Sequence, residues 1–213
     1  MNFLELCKKT RHESRVTGSG PSTVVNQVGI LRDIVEAVND AWLELQHFHN
    51  EWRFMERTRD VVFAQSVDAY HFGDLGISDF KSLKAIYVGG EKLSELSWDE
   101  YIALKVSDGA PQQGHVAQYT LDPSDRIVFY PRPVTATQST IQYFSQPQRF
   151  EKNSDIPSIP DAYQGAIYWR AVMDLAANES DTVIYQKASD KYTFELDRLQ
   201  SDYLPDIALG GAF

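Results

Sequence analysis

The stretch Asn26–Met55, NQVGILRDIVEAVNDAWLELQHFHNEWRFM, decides how this chain folds. It is the longest helical pattern present, and it runs straight into a strand-like segment. Leu31, Val35, Val38, Trp42 and Leu45 fall three or four apart, along one stripe of an α-helix. A stripe that wide needs partners, which makes this helix the spine of a bundle. The opposite face carries Asp33, Glu36, Asp40 and Glu44 at the same spacings. Like charges at i and i+4 destabilise an isolated helix by roughly 0.2–0.5 kcal/mol per pair. The acidic line is therefore either tolerated or serves something outside the fold.

Working outward toward the N-terminus, Asn2 is placed to cap a first helix over about residues 3–15, with Phe3, Leu6, Cys7 and Thr10 on one side. The segment VTGSGPST, residues 16–23, reads as a loop or mobile arm. Gly18-Ser19-Gly20 lacks the Gly-Lys-Ser/Thr of a phosphate loop, and it follows a helix instead of a strand.

After Trp52 the pattern turns to short β-type runs separated by Gly, Asp and Ser clusters. Gly89-Gly90 marks a tight hairpin turn, and Asp122-Pro123 a second turn. SWDEYIAL, residues 97–104, reads as a short helix in which Ser97 and Glu100 form a capping box. Further strands fall in GHVAQYTL, DRIVFYP and TIQYFS. Five of the nine prolines lie between Pro131 and Pro160, marking extended connections.

Helical pattern returns at Pro160, which suits the first turn of a helix running to Asn178. A last helix reaches about Tyr203, with Tyr185, Ala188, Tyr192, Leu196, Leu199 and Tyr203 as its packing stripe. The fold class expected is α+β. A helical bundle built from the N- and C-terminal helix pairs (1–52 and 156–204) carries an inserted β-rich domain (53–155), and a mobile tail follows from 205 to 213.

Composition bounds the function. Hydrophobic residues make up 43 % of the 213, with 4 Trp, 11 Tyr and 11 Phe, enough for a real core. Cys7 is the only cysteine, so no intrachain disulfide forms and a reducing compartment is expected. No apolar run approaches the roughly 20 residues that span a bilayer, so a soluble protein assembled inside a cell is expected, with no membrane partner. Net charge is −10, and residues 61–213 carry 12 Lys/Arg against 21 Asp/Glu. Tight duplex binding needs a basic patch to displace counterions, and Lys8, Lys9, Arg11 and Arg15 form the one candidate.

Catalytic constellations are weak. Glu44-Leu45-Gln46-His47 has the Glu-x-x-His spacing of di-iron bundles, but that site needs a second such pair, which the terminal helices lack. His47 and His49, two apart, point different ways on a helix. There is no Gly-x-Ser-x-Gly, and Cys7 reads as a small buried hydrophobe. Two readings compete with a structural role: a metal-dependent or cell-wall-degrading enzyme, and a nucleic-acid-binding accessory factor using the four basic residues.

The order of signals resembles one family. MNFLELCKK, a Gly-Ser-Gly-Pro loop, VNDAWLELQ…WRFM, AIYVGGEKLSELSWDEY, IVFYPRPV, IQYFSQP and IPSIPDAYQGAIYWRAV are similar, in that order, to tailed-phage head-to-tail adaptor proteins over about residues 1–205. The resemblance implies a ring, usually of twelve copies, in the virion neck below the portal protein. That ring extends the duplex-DNA channel without binding DNA specifically and offers a platform to tail or nozzle proteins. It implies no enzyme activity and no cofactor. On this reading the Asp33–Glu36–Asp40–Glu44 line faces the channel or a neighbouring subunit's basic residues, with ordinary solvent as the plain alternative. Leu204, Ile207, Leu209 and Phe213 of the tail are the candidates for portal binding.

Overall fold

The computed structural model describes residues 1–67, 69–108 and 112–204. The chain is a mixed α+β protein that divides into two compact units, Met1–Met55 with Pro147–Phe213, and Glu56–Gln146.

In the first unit, α1 (Phe3–Glu13) begins with a full capping box. The Asn2 side chain accepts from the Glu5 amide, and Glu5 accepts from the Asn2 amide. The loop from Ser14 to Gly29 then turns through left-handed conformations at Arg15, Gly18, Gly20, Asn26 and Gly29. Helix α2 (Ile30–Phe48) buries Ile34, Val35, Val38, Ala41, Trp42 and Leu45. Its buried side is wider than the apolar stripe, because Asn39 and Gln46 are also inside. The Trp52 indole donates to the Leu45 carbonyl at 2.8 Å, satisfying one of the acceptors that the end of α2 leaves open.

Five aromatic rings run through this core in series. Phe3 stacks on Phe150, Phe150 on Trp42, Trp42 on Phe54 and Phe54 on Trp52, with centroids 4.9 to 6.0 Å apart. Each such pair contributes about 0.5–1.5 kcal/mol beyond the area it buries. They explain why the 3₁₀ turn Arg53–Met55 and the segment from Pro147 belong with the helices.

Pro160 does not open a long helix. It precedes a 3₁₀ turn, Asp161–Tyr163, and α4 (Gly165–Asn178) starts beyond it. Glycine at that start lets α5 approach closely: a Cβ on Gly165 would lie 2.9 Å from Glu195 Cγ, so a larger residue would have to displace that side chain. Helix α5 (Thr182–Tyr203) is capped by Asp181, which accepts from the Val183 and Ile184 amides. Its stripe departs from the expected one at the first position. Tyr185 is 40 % exposed and Ile184 is buried instead, so spacings of four from Ile184 through Ala188 to Tyr192 follow the α4 surface.

The second unit holds the strands. β1 (Glu56–Phe63), β10 (Thr137–Ser145), β3 (Phe80–Val88) and β4 (Glu91–Lys92) form one sheet in the order β1-β10-β3-β4. β2 (Ala69–Tyr70), β8 (Ile127–Tyr130), β7 (Gln118–Leu121) and β5 (Ser94–Glu95) form a second, and β6 (Gln113–Gly114) pairs with β9 (Arg132–Pro133). Phe63, Ile86, Ile127, Phe129 and Ile141 centre a core drawn from both four-stranded sheets.

The turns fall where their residues demand. Gly89 and Gly90, at φ +59° and +87°, join β3 to β4, and Val88 pairs with Glu91. Asp122 locks the β7–β8 turn by accepting from the Ser124 and Arg126 amides and the Arg126 side chain. Helix α3 (Trp98–Asp108) starts with the Ser97/Glu100 capping box and runs four residues past the expected end. Tyr101 anchors it, stacked on Trp98 and edge-on to Tyr130.

Candidate interaction surface

The acidic line of α2 is exposed along its length. Asp33, Glu36, Asp40 and Glu44 all point away from the buried side, and Glu36 and Asp40 are 57 % and 62 % exposed. The line has cationic partners in its own chain that sequence spacing did not reveal. Arg149 bridges Glu36 at 3.3 Å and Asp40 at 3.6 Å. Arg170, on α4, reaches Glu44 at 2.8 Å and also holds Asp174. Among the described residues Asp33 meets only the adjacent Arg32, at 3.7 Å.

Arg170 shows how firmly one of these pairs is built. Burial pushes its pKa down, but hydrogen bonds and charge from Glu44 and Asp174 outweigh that and hold it above the ordinary guanidinium value. Glu44 is thereby engaged with an arginine, not turned toward His47. Among the described residues no group of three His, Cys, Asp or Glu is gathered to hold a metal.

A second charged surface lies on α1 and α5. Glu13 sits between Lys9 at 2.9 Å and Lys187 at 3.1 Å. Burial raises its carboxyl pKa, and the two ammonium groups lower it by more, leaving it below the usual glutamate value. Lys187 also lies over the Trp169 ring, 4.9 Å from its centroid. Of the four basic residues marked as a nucleic-acid candidate, Lys9 is thus paired, and Arg11 donates to the Val16 carbonyl at 3.1 Å. Lys8 and Arg15 are exposed.

The surface of the second unit has small clefts. One of about 90 Å³ is lined by Val88, His115, Val116, Pro133 and Thr137, and another of about 260 Å³ by Asp60, Tyr87, Gln138 and Thr140. Both fall below the roughly 300–1,000 Å³ of typical small-molecule sites. Cys7 is fully buried, and burial pushes its thiol up to about 12, far from a reactive thiolate.

At the end of α5, Leu204 is half-buried and its amide donates to the Gln200 carbonyl at 3.2 Å. The other tail candidates, Ile207, Leu209 and Phe213, lie outside the described residues.

These surfaces suit contacts with other proteins, and the family comparison says which kind. Residues 1–207 match the model of the SU10 adaptor protein family. The chain belongs to that family. No curated protein matches it. SU10 adaptor proteins are phage head-to-tail adaptors, so the chain is a structural virion protein of the neck, acting between portal and tail proteins. Among the described residues no helix is long and apolar enough to cross a membrane.

Sequence reasoning missed several residues that organise this adaptor. Asn39 and Gln46 are buried on α2, and their seven-residue spacing on the border of the apolar stripe was the available signal. Arg149 and Arg170 lie more than 100 positions from the α2 acids they bind, and no local pattern links those pairs. Lys187 and Arg198, which pair with Glu13 and Glu195, lie on α5, a helix that was read only for its apolar stripe.

Proposed function

We propose that this adaptor assembles as a ring of identical copies below the portal, twelve in the usual arrangement, and extends the channel through which duplex DNA enters and leaves the head. The observation that carries this reading is the family match over residues 1–207, nearly the whole chain. In this arrangement the helices from the two ends of the chain form a bundle that builds the ring. The β-rich segment inserted between them is turned toward tail or nozzle proteins.

The charge balance supports a passive channel wall. A net charge of −10 gives packaged DNA little to bind, so it slides past without exchanging counterions for protein cations. Twelve lysines and arginines against 21 acids from residue 61 onward support the same reading. Binding to the portal falls to the tail. Leu204, Ile207, Leu209 and Phe213 supply four large apolar side chains in ten residues, chemistry suited to an apolar groove on a partner.

Two measurements test this. Heads made without the protein should package DNA, fail to acquire tails and lose their DNA; heads that gain tails normally would overturn the role. Removing residues 205–213 should weaken binding to purified portal rings by at least ten-fold. Full-strength binding by the truncated protein would remove the tail from the contact.

A further inference from the structure

The two four-stranded sheets end in two different ways. Strands β2, β4 and β5 close three of the ends with two residues each, too short to recruit another strand. β1 closes the remaining end with eight, ERTRDVVF, and pairs with β10 without a break from Glu56 opposite Phe144 to Phe63 opposite Thr137. It has no proline, lysine or bulge, the devices that commonly blunt an edge. Glu56, Arg57, Arg59 and Asp60 are charged, but their signs cancel. Thr58, Arg59 and Asp60 are all exposed. Successive strand residues point to opposite faces, so this edge stands clear on both sides.

The register fixes which backbone groups look outward. Gln146, just after β10, donates its amide to the Asp79 carbonyl at 2.6 Å, and Leu93 donates to the Ile86 carbonyl at 2.9 Å. Backbone groups alternate sides along a strand, so Thr140 and Gln142 aim at β3 while Ser139 and Ile141 aim at β1. Arg59 and Val61, opposite Ile141 and Ser139, are therefore bonded to β10. Thr58, Asp60 and Val62 turn their amides and carbonyls to the free edge. Among the described residues nothing takes those groups.

Asp60 also begins a row that crosses the sheet through Thr140 and Tyr87 to Lys92. The Thr140 hydroxyl donates to the Asp60 carboxylate at 2.8 Å. The cleft of about 260 Å³ lies along this row, between Asp60, Thr140, Tyr87 and the Gly89-Gly90 turn. It is below the size of small-molecule sites and suits a single long side chain. Among the described residues no cation pairs with Asp60. Lys92 ends the row three strands away, roughly 14 Å at 4.7–4.9 Å per strand.

We propose that an extended segment of a tail or nozzle protein adds to β1 as a fifth strand, with a lysine or arginine opposite Asp60. Directly opposite residues share a face, so that cation lies along the row and over the carboxylate. Only another strand presents donors and acceptors at the spacing of the free edge, and backbone pairing supplies the affinity while the cation sets the register. A second copy is the poorer occupant. Neighbours in a ring meet through different surfaces, and the other ends of these sheets are two residues long. The inference rests on the β-rich unit being turned toward tail proteins, and it names the contact.

Two measurements test it on heads carrying the full-length adaptor, with purified tail and nozzle proteins of the same virion as the probe. The first is amide hydrogen exchange resolved to single residues. The outward amides of Thr58, Asp60 and Val62 should slow by at least about 100-fold in the joined particle, while those of Arg59 and Val61 are protected before and after. Protection elsewhere on the β-rich unit with these three unchanged would overturn strand addition and leave the unit's orientation standing. No protection anywhere on that unit would overturn both.

The second measurement counts tailed particles made with variants. Thr58→Pro and Val62→Pro each remove one outward amide without touching a bond to β10, and edge strands tolerate proline there. Each should cut tail joining by at least about ten-fold with the adaptor layer on the portal intact, whereas Thr58→Ala and Val62→Ala, which keep the amide, should join like wild type. Asp60→Lys should lower joining about five-fold, the scale of reversing a partly exposed pair. Proline variants that fold and join normally, or alanine variants that fail as the proline variants do, would overturn the proposal. Normal joining by Asp60→Lys would overturn the cation opposite Asp60.

Discussion

Asn39 holds the backbone of Phe150 at both its polar atoms, donating to its carbonyl at 3.3 Å and accepting from its amide at 2.9 Å. Two turns along α2, Gln46 does the same to Gln148, with both bonds at 3.0 Å. A helix has no free backbone edge, so these two side-chain amides act as one. They seat the returning chain against α2 and place the Phe150 ring on Trp42.

Asn39→Leu should therefore destabilise the helical unit by about 1–3 kcal/mol, since it leaves the buried Phe150 amide and carbonyl unpaired. Gln46→Leu should act in the same direction. Denaturant unfolding followed by tryptophan fluorescence measures both. An Asn39→Leu protein as stable as wild type would show that the clamp contributes nothing.

Acid should loosen both units through carboxylates held below their ordinary values. Glu13, between Lys9 and Lys187, ties α1 to α5, and Asp122 locks the β7–β8 turn with Arg126 and the Ser124 amide. In each, burial alone raises the pKa and the hydrogen bonds and charges outweigh it. A carboxyl with a lower pKa folded than unfolded contributes stability above its unfolded value, lost as pH falls through the folded one. Melting temperature should fall from about pH 4.5 downward, and Glu13→Gln should flatten part of that dependence while lowering stability at pH 7. A Glu13→Gln profile parallel to wild type would contradict the assignment.

Cys7 should resist thiol reagents in the folded protein. Its side chain is fully buried and burial pushes its pKa up to about 12. Labelling with a maleimide at neutral pH should proceed only at the rate at which α1 opens, and should become rapid in denaturant. Rapid labelling of native protein would mean that α1 is not packed as described.

How much of this was legible in the sequence follows the range of each interaction. Local signals were readable: the caps at Asn2 and Ser97, the glycines at 89 and 90 and the turn at Asp122 each act within a few residues. The α2 stripe was readable because burial imposes a helical period on it. The first position of the α5 stripe was not, since Ile184 and Tyr185 are adjacent and both apolar, and only the α4 surface selects between them. Long-range pairs such as Glu44 with Arg170 had no local trace. The family resemblance was readable from the order of weak motifs along the chain, and no single motif would have carried it.

Electron microscopy of purified portal rings mixed with the full-length adaptor tests the central claim most directly. The account predicts portal particles with one added, rotationally symmetric layer whose subunits carry helices in the ring wall. Portal rings that emerge with no added layer at saturating protein, or that bind isolated copies without a closed ring, would contradict it.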